Sequence, residues 1–358
     1  IKVALSDIAV GKRKISLDNA WVTVDRVTRD GDAVAAALVV RTHKGRDAQP
    51  IRVTLDHDLG KGVGHFAVAA NWQTKKALLA AQLPGFQAPY DLDEGALQMA
   101  LKGSWDLAKT PALRASGHVE LDARRAHYED YAVNGVTVDL PIALDGASYS
   151  VADTPVTIDA VDVGFPLTQI SLHLAVADGI AQVRDLQGAV LGGRFAANAF
   201  GYTLATDEST IALHVSGVDL AQLLALEGDD VQGNGILDGE LPVRIGGEVI
   251  TIDDGRVAAR APGGKLVYKG AGSMATAAPS GMGFVFQALE DFRYDVLDAK
   301  VALATDGALV LAVRLQGRNP EVENGRTIAF NLNLNESLPA LLESLRAGEG
   351  ITKRIEGK

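Results

Sequence analysis

Asp56-His57-Asp58, followed closely by His65, is where residue types in this chain first invite chemistry. Carboxylates and imidazoles so close together could hold a metal ion. The spacing lacks the His-x-x-x-His or two-His-plus-carboxylate pattern that a zinc centre needs. A wet strand and turn accounts for the cluster, and no metal ligand is assigned. The other histidines, His43, His118, His127, His173 and His214, are scattered. Of these, His118, His173 and His214 lie on the polar side of alternating segments. Asp229-Asp230 and Asp253-Asp254 are carboxylate pairs of the kind glycosidases use, but each adjoins glycine and reads as a turn. A sugar enzyme would also need aromatic platforms, and of Trp21, Trp72 and Trp105 only Trp105 adjoins an acid, the single Asp106. Gly270-Ala271-Gly272 lacks the third glycine, the following acidic residue and the βαβ setting of a dinucleotide site. No Gly-x-Ser-x-Gly elbow occurs. No catalytic residue and no cofactor is assigned.

The elements around these residues carry a stronger signal than the residues themselves. Val136, Val138, Leu140, Ile142 and Leu144 alternate with smaller or polar neighbours. Ile170, Leu172, Leu174 and Val176 do the same, as do Ile211, Leu213 and Val215. The pattern returns in Leu309, Leu311, Val313 and Leu315, and again in Ile328, Phe330 and Leu332. Residues two apart share one face of a strand, so each run has one greasy and one wet side. Roughly seventeen to twenty such strands are separated by Gly-, Asp- and Asn-rich turns, which predicts meandering antiparallel β structure.

Four helical patches interrupt the pattern. They lie near 75–82 with Thr74 as cap, near 219–227 with Asp219 as cap, near 281–292, and in a Leu-rich stretch starting at Ser337. Each has an apolar stripe suited to covering an end of the sheet. Pro141 and Pro242 fall inside strands, in echoing Leu-Pro phrases, and are expected at bulges, edges or strand starts. The echo suggests duplicated β units.

Composition narrows the function. The 358 residues are 47% hydrophobic and carry a formal net charge of -11, which opposes a nucleic-acid partner and simple docking on anionic lipid. Cysteine is absent, as suits an oxidising compartment. The longest apolar run, Ala33 to Val40, is about half of what a bilayer requires. "IKVALSDIAV" reads as a strand already under way, so the natural N-terminus is expected upstream.

A sheet of about eighteen strands at about 4.8 Å spacing would be some 80–90 Å long, and its greasy side must be hidden. A facing sheet would make a closed scaffold or adhesin-like protein with a solid core. An open, curled sheet would take hydrocarbon guests, each buried methylene contributing about 0.8 kcal/mol.

Two stretches resemble a known family. "GVDLAQLLALEGDDVQGNGILDGELPVRIGGEVITIDDGRVAARAPGGKLVY" and "LQGRNPEVENGRTIAFNLNLNESLPALLESLRAG" are similar to the C-terminal region of YdbH-like proteins, part of the AsmA-like, TamB-related intermembrane phospholipid transport set. The resemblance is clearest from about 190 to 350. It implies a long, curled antiparallel sheet with an apolar groove, a few short capping helices and a C-terminal helix. The corresponding divisions are 1–190, 191–334 and 335–358. It implies a periplasmic, non-enzymatic lipid conduit, held to the inner membrane by an N-terminal anchor absent from this sequence. The alternating aliphatics named above would then face lipid. It also implies a small outer-membrane lipoprotein as partner. The last strand, with Thr327, Ala329, Asn331 and Asn333 on its wet side, would offer it a free edge. An older label for the family speaks of dicarboxylate transport, which the absence of transmembrane helices and of a basic pocket does not support.

Overall fold

The fold was analysed in a computed structural model, which describes residues 2–10, 13–43, 47–75, 77–82, 90–128, 131–226, 228, 230–247, 249–269 and 280–337. The protein is mainly β, and its paired strands are antiparallel. In chain order the elements are β1 (Lys2–Val10), β2 (Arg13–Asp30), β3 (Ala33–Arg41), β4 (Ile51–Asp58), β5 (Val63–Thr74), α1 (Leu78–Gln82), β6 (Tyr90–Asp106), β7 (Leu113–Tyr128), β8 (Tyr131–Asp145), β9 (Ser148–Asp162), β10 (Pro166–Ala177), β11 (Ile180–Val190), β12 (Gly193–Ala197), β13 (Phe200–Thr203) and β14 (Glu208–Asp219). They continue as α2 (Leu220–Leu226), β15 (Val231–Asn234), β16 (Ile236–Gly246), β17 (Val249–Ala259), β18 (Gly264–Tyr268), α3 (Ser280–Leu289), β19 (Phe292–Leu303), β20 (Ala308–Arg318) and β21 (Ile328–Ser337). The chain forms two compact units. The first comprises Ile1–Asp162, Gln169–Leu186 and Gly201–Asp207. The second comprises Val163–Thr168, Gln187–Phe200 and Glu208–Lys358.

In the first unit each strand from β1 to β9 pairs with the next in sequence, an open ladder of hairpins. Directly opposed residues project to the same side, so the register sorts side chains into rows. One row reads Val24, Leu38, Val53, Val68, Leu101, Gly117, Ile142, Val151. The next reads Val27, Ala36, Leu55, Phe66, Gly103, Ala115, Leu144, Tyr149. Leu97 and Met99 face Leu121 and Val119, which face Val138 and Leu140.

The intervening positions make a wet face laced by polar side-chain pairs between neighbouring strands. Asp56 meets His65 at 3.0 Å, Arg114 meets Asp145 at 3.1 Å and His118 meets Asp139 at 2.9 Å. These pairs are exposed, so they specify register more than they add stability.

The two prolines fall where strand geometry requires. Pro141 stays opposite His118 on β7, while the β8–β9 pairing skips between Val138 and Ile142. Pro242 stays opposite Ala212 on β14, while β16–β17 skips between Glu240 and Val243. Each proline, lacking an N–H, sits at a bulge toward the following strand. That shared bulge is the structural content of the Leu-Pro echo.

Helix α1 starts later than the capping pattern implied. Thr74 closes β5, and the carboxylate of Asp91 accepts the Leu79 N–H at 2.6 Å. Helix α2 has its expected cap, with Asp219 accepting from Ala221 at 2.9 Å. The end of α3 is held by Asn319, in the loop after β20, whose amide donates to the Gln287 and Ala288 carbonyls at 3.1 and 3.2 Å. The Leu-rich C-terminal helix expected after Ser337, and Gly270-Ala271-Gly272, lie outside the described residues; Ser337 itself belongs to β21.

In the second unit, β12, β14, β16, β17, β19, β20 and β21 follow one another as an antiparallel ladder, and β18 adds β15 beside the start of β19. Tyr294 anchors that corner. It is almost fully buried and donates to the Asn234 carbonyl at 2.8 Å. Gly235, at φ +145°, has no room for a Cβ beside the Tyr294 hydroxyl.

Burial pushes the Tyr294 phenol above its ordinary pKa. The unfolded phenol therefore ionises first as pH rises through about 10, and folded stability falls there. Tyr294→Phe is expected to cost about 1 kcal/mol at neutral pH through the lost hydrogen bond and to flatten the alkaline limb, measured by chemical denaturation against pH. Leu78→Ala is expected to cost about 2–4 kcal/mol in the same assay.

Candidate functional site: the apolar face

Every aliphatic residue singled out in β8, β14, β20 and β21 lies on the apolar side of its strand. In the first unit Val136 and Val138 oppose Ile158 and Val156, and Leu140, Ile142 and Leu144 oppose Val119, Gly117 and Ala115. Ile170, Leu172, Leu174 and Val176 alternate along β10. In the second unit Ile211 opposes Val243, Leu213 opposes Leu241, and Val215 lies between Phe195 and Gly239. Leu309, Leu311, Val313 and Leu315 oppose Leu303, Val301, Ala299 and Leu297 on one side. On the other, Leu311, Val313 and Leu315 oppose Leu334, Leu332 and Phe330, and Ile328 opposes Gly317.

Burial separates these residues into two kinds. Some are buried: Val138, Ile170 and Val176 within the strands of the first unit, and others in clusters that include helix residues. In the first unit Leu78 of α1 packs with Ala70, Trp72, Leu92 and Ala123, which range from fully buried to 7% exposed. In the second, Leu315 and Phe330 are buried with Phe292 and Tyr294, the Phe292 and Phe330 rings 5.2 Å apart, and Ala288 of α3 is fully buried. Others remain half-buried: Val53, Val68, Leu101, Ile142 and Val151 in the first unit, and Ile211, Leu213, Val215, Leu311, Val313 and Leu332 in the second. A residue enclosed on every side loses nearly all its exposure; these do not. They form an apolar surface that the described residues of their own unit leave incompletely covered.

Beside that surface, glycines opposite large side chains let aromatic rings lie flat on the sheet. Phe66 covers Gly103 and Trp105 covers Gly64, each its direct partner across the ladder. The two rings stack at 6.1 Å, and the Trp105 indole N–H donates to His57 Nδ1 at 3.0 Å. His57 therefore shares the apolar side with Trp105, whereas Asp56 and His65 pair on the wet side. The cluster that first invited a metal reading is split between two faces. Among the described residues no group of three or more potential ligands is assembled. Asp253 and Asp254 pair with Arg244 and Arg256; Asp229 lies outside the described residues.

A depression of about 950 Å³ crosses β5–β10. Its lining takes adjacent residues from each strand, as in Ala67-Val68-Ala69 and Pro141-Ile142-Ala143, and omits Phe66, Ala70, Met99 and Val119. The flanking members carry the side chains of the wet face, so this alanine- and serine-rich hollow lies opposite the aliphatic rows. Sequence reasoning had no signal for it beyond the abundance of alanine.

The family model described as YdbH-like, intermembrane phospholipid transport protein YdbH, matches residues 14–358. The chain belongs to the YdbH-like family. The match reaches well before residue 190, where the resemblance of individual phrases fades. Comparison with curated proteins and with solved structures returned no match. The YdbH-like family is one of lipid transport rather than an enzyme class.

Several wet-face pairs respond to acid. The Arg184 guanidinium beside Asp153 holds that carboxyl below its usual pKa, as Arg260 does for Asp238. A depressed carboxylate stabilises the fold above its unfolded pKa, about 4, and that contribution disappears as pH falls through the lower folded value. Melting temperature is therefore expected to hold from pH 7 to about 5 and decline below about 4, with Arg260→Met starting lower at neutral pH and losing less on acidification, because Asp238 no longer has a depressed folded pKa to lose.

Proposed function

We propose that the half-buried aliphatic rows bind the acyl chains of phospholipids, and that the protein, without catalysis, helps move them between the inner and outer membranes. The observation that carries this reading is the contrast within each unit. In the first, Leu78 is 1% exposed while Leu101 and Ile142 are only half-buried; in the second, Leu315 is 1% exposed while Leu213 and Val313 are only half-buried. Several Leu, Ile and Val side chains kept from full burial cost about 1 kcal/mol or more each, a cost that hydrocarbon guests offset. Val, Leu and Ile offer no hydrogen bond, so the rows would select for chain length and fluidity more than for headgroup. Family membership supports the cargo and its intermembrane direction.

Leu315 and Phe330 are assigned to ordinary core on this reading, as the closed-scaffold alternative would have every aliphatic residue. The neighbouring rows distinguish the two readings.

The periplasm is the proposed location, with an inner-membrane anchor upstream of this sequence. Strand β21 is the proposed docking edge. It pairs with β20 from Ile328 to Ser337, no strand among the described residues pairs with its other side, and Ala329, Asn331 and Asn333 keep its wet face polar. A small outer-membrane lipoprotein adding one strand there would satisfy the exposed main chain.

Purified protein extracted with organic solvent is expected to yield phospholipid by mass spectrometry. Leu101→Asp with Ile142→Asp, or Leu213→Asp alone, should reduce that lipid at least several-fold while lowering the melting temperature by only a few degrees, since about 1 kcal/mol moves a unit of 150–250 residues by 2–4 °C. Leu315→Asp should unfold the protein, because a lone carboxylate would enter a sealed site. Loss of the fold in all these variants alike, with no lipid in wild type, would favour the closed scaffold.

A further inference from the structure

Two hairpin turns of the first unit share one four-residue pattern. Asp58-Leu59-Gly60-Lys61 joins β4 to β5, and Asp106-Leu107-Ala108-Lys109 opens the connection from β6 to β7. In each, an Asp carboxylate oxygen accepts a main-chain N–H two residues on, from Gly60 at 3.0 Å and from Ala108 at 3.1 Å. The lysine then returns to the second carboxylate oxygen, Lys61 at 3.0 Å and Lys109 at 2.8 Å. The turn is complete without its leucine. Yet Leu59 is 50% and Leu107 68% exposed, at positions where turns ordinarily select polar residues.

The turns are tied together. The Leu59 N–H donates to the Asp32 carbonyl, that of Leu107 to Gly62, and that of Gly146 to Leu113, at 2.8–3.0 Å. The hairpin ends of β2–β9 thus make one continuous rim. It borders the strand ends opposite α1. Where α1 stands, the face is closed by Leu78, Trp72 and Leu92. At the rim, Leu113, the direct partner of Trp105, and Tyr149, farther along on β9, both on the apolar side, remain exposed. The face therefore has one plugged end and one unplugged end.

We propose that this rim is the lateral mouth through which a zwitterionic phospholipid reaches the face, with Leu59 and Leu107 touching its hydrocarbon and the headgroup lying beside the neutralised Asp–Lys pairs. The proposal rests on the acyl-chain reading above and adds where the lipid enters. Three observations favour lipid over a charged peptide. Each tip carries one acid and one base bound to each other, so neither attracts an ionic partner. Leu107 directly follows the strand that carries Trp105, whose cross-strand partner is the exposed Leu113. The amphipathic aromatics Trp105 and Tyr149 stand at the border between apolar face and water, where such rings suit a lipid interface.

The test measures transfer of fluorescent phosphatidylethanolamine from donor to acceptor phosphatidylcholine vesicles. The double variant Leu59→Ser, Leu107→Ser should transfer about tenfold more slowly, with melting temperature and lipid bound after long incubation both unchanged. Tyr90→Ser with Tyr128→Ser, at the plugged end, should leave the rate as in wild type. Equal rates for wild type and the leucine variant would overturn the mouth while leaving the acyl-chain reading intact, as would equal slowing at both ends. A wild-type dimer that light scattering finds dissociated in the leucine variant would overturn it too, making the tips a contact with a second copy. Wild type that neither carries nor transfers phospholipid would remove the underlying reading, and the mouth with it.

Discussion

The structure depends on cross-strand register. An antiparallel ladder places residues of matching parity on one side, and a slip of one residue would send every aliphatic side chain to water. With register held, Val24 on β2 and Val151 on β9 belong to one apolar row although more than a hundred residues separate them. Two features hold it. Short hairpins fix several pairs, such as β2–β3 and β8–β9, and charged pairs on the wet face, such as Arg114 with Asp145, favour the native alignment. Bulges at Pro141 and Pro242 interrupt the register locally and restore it within a few residues.

From that constraint the division of labour follows. Where a helix packs beside the rows, side chains vanish from solvent and behave as core. Away from the helices burial is uneven: Val138, Ile170 and Leu303 are buried, while Leu101, Leu213 and Val313 keep a partial exposure. Helices α1 and α3 are too short to hold themselves together in isolation, so each is fixed by specific polar contacts: Asp91 on the Leu79 amide, and Asn319 on the carbonyls that end α3. On the proposed reading, each helix closes part of the apolar face of its own unit and hydrocarbon covers the rest.

Much of this was legible in residue order. Period-two alternation of Val136 to Leu144 and of Leu309 to Leu315 foretells the strands and their apolar side. The missing N–H of Pro141 and Pro242 foretells the bulges. Alternation also carries the split of Asp56, His57 and His65 between faces, since residues 56 and 57 are neighbours on one strand. What the sequence could not convey is which aliphatic residues are sealed. Val313 and Leu315 belong to one alternating pattern on β20, yet Leu315 is buried, as are Phe292, Tyr294 and Phe330, while Val313 is half-buried. The start of α1 was also hidden, because its cap, Asp91, comes from the following strand. The exposure of Leu59 and Leu107 leaves no mark in residue order.

The central claim is that hydrocarbon, not protein, covers the middle rows. A chain without cysteine allows a clean measurement: Leu101→Cys and, separately, Leu78→Cys, each reacted with a water-soluble maleimide before and after lipid is stripped by detergent and the detergent removed. The account predicts that the thiol at 101 reacts slowly in lipid-loaded protein and much faster once stripped, while the thiol at 78 stays slow throughout. A thiol at 101 equally slow in both states would mean that protein seals that row, and would contradict the account.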